Sequence, residues 1–165
     1  MIRSAKIMLL GDIGVGKTSL AKRLVFDRFD TDYKTTIGVN VMTHDVVLPA
    51  DCGGGTMRLV LWDTDGDFSQ TLFSTSYILG AAGAVVVADA ARPASVEHMA
   101  RLAEAFEDRL PGRPVSCVLN KVDLLTGDEA VRPPPGRPVH RASALTSEGV
   151  PALFAAIAAA IHRRA

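Results

Sequence analysis

Gly11-Asp12-Ile13-Gly14-Val15-Gly16-Lys17-Thr18 is the stretch whose residue types and spacing point most directly to chemistry. Its glycines allow backbone N–H groups to turn toward one side, which forms a cradle for phosphate oxygens. Lys17 adds a point charge for the outer phosphates, and the Thr18 hydroxyl is a hard oxygen suited to Mg²⁺. Ile13, Gly14, Val15, Gly16, Lys17, Thr18 and Ser19 are therefore the candidate polyphosphate contacts. The bland alternative is a glycine turn followed by an accidental Lys-Thr. It is weakened by context, because an apolar run precedes the loop and a helical pattern follows it. Alone, the loop implies a nucleoside triphosphate and leaves the base open.

Asn120-Lys121-Val122-Asp123-Leu124 follows a second apolar run, Val115 to Leu119. A carboxylate at Asp123 can accept hydrogen bonds from both guanine N1–H and the exocyclic amine. Adenine offers no such pair, and a carboxylate buried without partners is costly. The alkyl stem of Lys121 is long enough to lie across a purine face. Ser143-Ala144-Leu145 follows a later short strand pattern, where the Ala144 N–H is placed to donate to guanine O6. These residues favour GTP and GDP over adenine nucleotides. An ATP-handling protein is the weaker alternative.

The elements that must position these groups are legible as runs and periods. Ala5–Leu10, Ala84–Ala88 and Val115–Leu119 are continuous apolar stretches of strand length, as expected of strands covered on both faces. Val39–Leu48 and Met57–Trp62 read as an antiparallel hairpin around a glycine-rich loop, and Val139–Arg141 as a last strand. Helical spacing spans Lys17–Asp27. It returns at Val96, Met99, Leu102, Ala103, Phe106 and Leu110, and again at Val150, Leu153, Phe154, Ile157 and Ile161. Ser147 or Thr146 is expected to cap that last helix. Alternating strands and helices predict a doubly wound α/β sheet, with ligands at the carboxyl edge of its strands.

Composition closes other routes. The 165 residues carry 18 basic and 18 acidic side chains, so the formal net charge of zero argues against nucleic acid as the main partner. The length suggests one domain, 1–165. Cys52 and Cys117 show no metal-ligand spacing; Cys117 reads as core and Cys52 as an exposed turn residue. No targeting segment and no C-terminal cysteine for a lipid anchor are visible, so a cytoplasmic location is expected. His44, His98, His140 and His162 are scattered and suggest no catalytic cluster.

Taken together the chain resembles the Ras-like small GTPases, and most of all the Rab branch. The phosphate loop carries the likeness, with Tyr33-Lys34-Thr35-Thr36-Ile37-Gly38-Val39, Trp62-Asp63-Thr64-x-Gly66 and Thr75-Ser76-Tyr77-x-x-Gly80-Ala81-x-Gly83. The resemblance implies a three-layer P-loop NTPase G domain. Its six-stranded sheet would be mostly parallel with one antiparallel edge strand and helices on both faces. Bound GTP or GDP with Mg²⁺ is implied too. Phe29 would pack edge-on against guanine. Thr36 would give its hydroxyl to Mg²⁺ and its N–H to the γ-phosphate. Asp63 would complete the metal set with Thr18 and Thr36, and the Gly66 N–H would bond the γ-phosphate. Segments 31–39 and 64–77 would be switches that meet effectors, exchange factors and activating proteins.

Four departures bear on catalysis, for which Lys17, Thr36, Gly66 and Asp67 are the candidate residues. Asp67 stands where the family has the glutamine that orients water. Two unit charges ~5 Å apart repel by roughly 3 kcal/mol at an effective dielectric of 20, so Asp67 beside the γ-phosphate predicts slow hydrolysis. Asp65 replaces the usual alanine. Ile13 fills a position that is small in the family and would obstruct an inserted arginine. The stretch Asn120–Ser143 is short and proline-laden, with at most a turn near Asp128–Val131 where the family places a helix. These features suggest a trimmed, prokaryotic, non-lipidated member. The expected function is a GTP/GDP switch with slow hydrolysis. The alternative is a pseudo-GTPase that holds guanine nucleotide as a structural ligand.

Overall fold

The computed structural model describes residues 2–31, 39–64, 76–125 and 136–164. Strands β1 (Arg3–Gly11), β2 (Val39–Val47), β3 (Thr56–Thr64), β4 (Ala81–Asp89), β5 (Val115–Asn120) and β6 (Val139–Arg141) form one sheet in the order β2-β3-β1-β4-β5-β6. The β2–β3 pair is antiparallel, and every other pairing is parallel. The expected mixed sheet with an antiparallel edge strand is therefore what the chain forms.

The two faces follow from the two-residue period of a strand. Along β1, Ile7 and Leu9 enter one core cluster while Met8 and Leu10 enter the other. Along β4, Val85 and Val87 face the first, and Ala84, Val86 and Ala88 the second. Helices α1 (Lys17–Phe26) and α3 (Val150–Arg164) cover the first face with Leu20, Leu153, Phe154 and Ile157. Helix α2 (Pro93–Arg109) covers the second with Val96, Met99, Leu102, Ala103 and Phe106. Phe106 and Phe154 are fully buried anchors on opposite faces, where truncation to alanine costs about 3–5 kcal/mol. Layers of helix, sheet and helix result.

Several sequence-based boundaries move. β4 begins at Ala81 and β3 runs to Thr64, beyond the apolar runs, because ladder pairing continues past the last apolar residue. α1 stops at Phe26 because Asp27 turns left-handed (φ 52°) and its N–H closes on the Arg23 carbonyl. Leu110 lies just past the end of α2 and is half-buried. The expected hydroxyl cap of α3 is not formed. Gly149, at φ +71°, holds the N-cap place, and its carbonyl accepts from the Leu153 N–H at 3.0 Å. The Thr146 hydroxyl instead accepts from the Glu148 N–H at 3.3 Å.

Cys117 is buried as expected, and burial pushes its thiol up to about 11, which keeps it inert. Cys52 is half-buried rather than exposed, in a short 3₁₀ turn (Ala50–Cys52), and its carbonyl accepts from His162 Nε2 at 2.7 Å. Among the described residues no helix is long and apolar enough to cross a membrane.

Candidate functional site

The site lies at the carboxyl edge of β1, β3, β4 and β5. β1 ends at Gly11, and α1 starts at Lys17, so residues 12–16 form the expected loop between a strand and a helix. Gly16 is left-handed (φ +100°), and a Cβ there would lie 2.2 Å from Asn120 Nδ2. Only glycine permits this close approach of the phosphate loop to the base motif. Lys17 is nearly buried, and its ammonium donates to the Gly11 carbonyl at 2.7 Å and the Asp12 carbonyl at 3.0 Å. Val15 is fully buried, Ser19 is half-buried on the first turn of α1, and Ile13 is exposed.

Asp63 reaches this loop from β3, whose register sets it beside Leu9. The Thr18 hydroxyl donates to Asp63 Oδ2 at 2.5 Å. Asp63 Oδ1 is buried and has no hydrogen-bond partner among the described residues. Burial holds the Asp63 carboxyl above its ordinary range, against the opposing pull of Thr18 and Lys17. A carboxylate and a hydroxyl form an all-oxygen donor pair, and a buried carboxylate oxygen left unpaired is the kind of atom a hard cation satisfies. Thr18 and Asp63 therefore fit Mg²⁺.

The base motif is joined to the loop. Asn120 Nδ2 donates to the Val15 carbonyl at 3.0 Å, and Lys121 Nζ donates to the Gly14 carbonyl at 2.7 Å. Lys121 itself is left-handed, at φ 65°. Ser143 Oγ donates to Asp123 Oδ1 at 2.7 Å and accepts from the Thr146 N–H at 3.1 Å. Asp123 is exposed, so the cost of leaving it unpaired arises only once a base covers it. The Ala144 N–H is directed to Asn120 Oδ1 at 3.2 Å, so its donor is taken up within the protein. Leu124 and Leu145 are exposed beside Asp123 and Ala144, and Phe29 packs against the α1–α3 core. Thr36, Gly66 and Asp67 lie outside the described residues, as do Asp65, Asp128–Val131 and most of segments 31–39 and 64–77.

Sequence reasoning missed four contributors. Arg23 donates from α1 to the carbonyls of Ala144 and Leu145, both at 2.8 Å, and so ties the base loop to the phosphate helix. Asp89 stands 3.3 Å from Lys121 Nζ, and Arg92 donates to the Ile13 carbonyl at 2.8 Å. His98 Nδ1 contacts Asp12 Oδ1, so this histidine is not isolated. A charge closing the apolar run of β4 at the ligand edge was a readable signal for Asp89. Nothing in the local pattern marks Arg23, Arg92 or His98.

Residues 6–123 match the family described as Ras of Complex, Roc, domain of DAPkinase. The chain therefore belongs to the Roc/Ras-like GTPase domain family. It is 35% identical over 127 residues to Ras-related protein RABA3 of Arabidopsis thaliana, covering 76% of this chain and 52% of that protein. It is also 35% identical over 124 residues to Ras-related protein Rab-31 of rat and of mouse, covering 74% of this chain and 62% of theirs. The matched region thus spans about half to three fifths of those relatives.

Proposed function

We propose that this protein is a guanine-nucleotide switch that binds GTP and GDP with Mg²⁺ and hydrolyses GTP slowly. One observation carries the reading: the Asn120 amide ties the base motif to the Val15 carbonyl of the phosphate loop at 3.0 Å. Base and polyphosphate would be read by one connected structure.

In this reading the Asp123 carboxylate, oriented by Ser143, accepts from the guanine edge, while the Lys121 stem flanks the ring. Lys17 gives up the loop carbonyls of Gly11 and Asp12 for phosphate oxygens and stabilises charge there. Thr18, Asp63 and Thr36 would hold Mg²⁺, which when bound would offset the negative charge of the polyphosphate. Gly66 would report the γ-phosphate. Beside the site, Val41 pairs with Trp62 across β2 and β3, and Tyr77 meets Trp62 edge-on at 6.0 Å. Val41 and Tyr77 are exposed. In the chain Val41 follows segment 31–39, Trp62 precedes segment 64–77 and Tyr77 ends it, so this apolar surface suits an effector that senses the nucleotide state.

Asp67 is the residue expected to limit turnover, through repulsion of the γ-phosphate. Single-turnover hydrolysis of preloaded GTP tests this. Asp67→Gln should accelerate turnover about tenfold or more, within the roughly 3 kcal/mol that the charge argument allows. An unchanged rate would remove that argument. Asp67 and the exposed Ile13 also support the second reading, a pseudo-GTPase; no GTP loss over many hours, with and without lysate, would favour it. Release of bound nucleotide from purified protein decides the base. Adenine nucleotide, or no uptake of GDP or GTP with magnesium, would overturn both readings.

A further inference from the structure

Three consecutive carbonyls of the phosphate loop, those of Ile13, Gly14 and Val15, are each held by a side-chain donor from outside the loop. The donors are Arg92 at 2.8 Å, Lys121 at 2.7 Å and Asn120 at 3.0 Å. In a trans peptide the C=O and the following N–H point in opposite directions. Fixing these carbonyls therefore fixes the directions of the N–H groups of Gly14, Val15 and Gly16. The Val15 N–H makes a long 3.4 Å contact to the Asp12 carbonyl, so the groups that matter most for a phosphate are those of Gly14 and Gly16. Two of the three donors come from the base motif. The third comes from the turn between β4 and α2.

That turn is built to hold Arg92 still. The Arg92 N–H bonds the Asp89 carbonyl at 3.0 Å, the Asp89 N–H bonds Ser95 Oγ at 2.9 Å, and Ser95 Oγ bonds the Arg92 carbonyl at 2.7 Å. Pro93 then starts α2 with its φ already set. The Asp89 side chain is almost fully buried. Its Oδ1 accepts from the Ala91 N–H at 2.9 Å, and its Oδ2 lies 3.2 Å from Arg92 Nε and 3.3 Å from Lys121 Nζ. One carboxylate oxygen thus couples two of the three donors. The planar guanidinium suits this place, since Nε meets Asp89 while another nitrogen of the fork meets Ile13.

We propose that Asp89 and Arg92 are positioning residues for nucleotide binding, which hold the outer side of the phosphate loop so that its inner N–H groups stay aimed at the β-phosphate. This role rests on the guanine-nucleotide reading above and extends it to residues outside the nucleotide motifs. It separates the pair from a merely structural brace, because its effect appears on the phosphate itself.

The test uses full-length protein loaded with GDP and Mg²⁺, and the variants Arg92→Met, Arg92→Lys and Asp89→Asn. Arg92→Met should speed GDP dissociation on the order of tenfold, as expected for loss of a charge-assisted hydrogen bond. It should also displace the ³¹P resonance of the bound β-phosphate. Arg92→Lys should recover thermal stability but not the resonance, because one ammonium cannot reproduce the fork. Asp89→Asn, close to isosteric, should shift the resonance in the same direction, and the Asp89→Asn/Arg92→Met pair should be less than additive. If Arg92→Met and Asp89→Asn lower the melting temperature while dissociation and the ³¹P shift stay at wild-type values, the pair is only structural and the proposal fails. Wild-type protein that takes up no GDP overturns the functional reading and this inference together. Wild-type binding with unaffected variants overturns this inference alone.

Discussion

The two ends of the candidate site are built on different physical terms. At the base end, Asn120 bonds the Val15 carbonyl and the Ala144 N–H, Ser143 bonds Asp123 and Thr146, and Arg23 secures the carbonyls of Ala144 and Leu145. These groups partner one another within the protein. At the metal end, Asp63 is fully buried, one oxygen is held by Thr18, and the other has no hydrogen-bond partner among the described residues. Hydrogen bonding thus preorganises the base end, whereas at the end suited to Mg²⁺ a buried carboxylate, only partly offset by Thr18 and Lys17, keeps one oxygen without a hydrogen bond among the described residues. A site of this kind gains specificity from the first end and a large response to bound cation from the second.

The comparison breaks first at Asp123. Asp123→Ala should weaken GDP binding about a hundredfold or more, since losing one partner of a covered, charged hydrogen bond costs roughly 2–5 kcal/mol. Fluorescent-nucleotide titration checks this. Retention of wild-type affinity would mean that the base is not read here.

At the metal end, Asp63 makes a prediction of opposite sign for the protein and for its ligand. Burial raises its carboxyl, so the folded state binds the proton more tightly than the unfolded state does. Ionisation then opposes folding. Without divalent cation, stability should fall as pH rises from about 4 through the raised range of Asp63. Asp63→Asn should flatten that slope and, without Mg²⁺, raise the melting temperature by about 2–4 °C for each kcal/mol of relief. The same variant should lose the stabilisation that Mg²⁺ gives the GDP-bound protein. Thermal melts across pH, with and without Mg²⁺, read both effects. A variant that melts lower without Mg²⁺ would contradict the charge argument.

What was legible in the sequence follows the same division. The apolar runs of β1, β4 and β5 were visible because strands buried on both faces must be apolar throughout, and α2 because a one-sided helix repeats every three or four residues. Their ends were not, since the extension of β4 back to Ala81 depends on its pairing with β1. The phosphate loop and the base motif were readable because each is local, and local geometry dictates its glycines and its carboxylate. The bond from Asn120 to Val15 joins residues 105 positions apart, and only the parallel order of β1, β4 and β5 brings them together. The hydroxyl cap expected for α3 failed for a local reason, as the residue just before the helix is Gly149, which has no side chain to offer.

The smallest expected effect sharpens the contrast most. Ser143→Ala removes the donor to Asp123 and the acceptor for the Thr146 N–H. Asp123 is exposed, so water can replace the lost partner, and the cost is that of an ordinary hydrogen bond, about 0.5–1.5 kcal/mol. GDP affinity should fall roughly two- to tenfold, because the carboxylate must now be oriented as the base binds. The pH slope and the Mg²⁺ response that belong to Asp63 should not move, since Ser143 Oγ engages Asp123 and the Thr146 N–H, whereas Asp63 engages Thr18 on the other side of the site. If Ser143→Ala alters the Mg²⁺ response as strongly as GDP affinity, the two ends are one cooperative unit, and the division between a preorganised base end and a charge-dependent metal end is wrong.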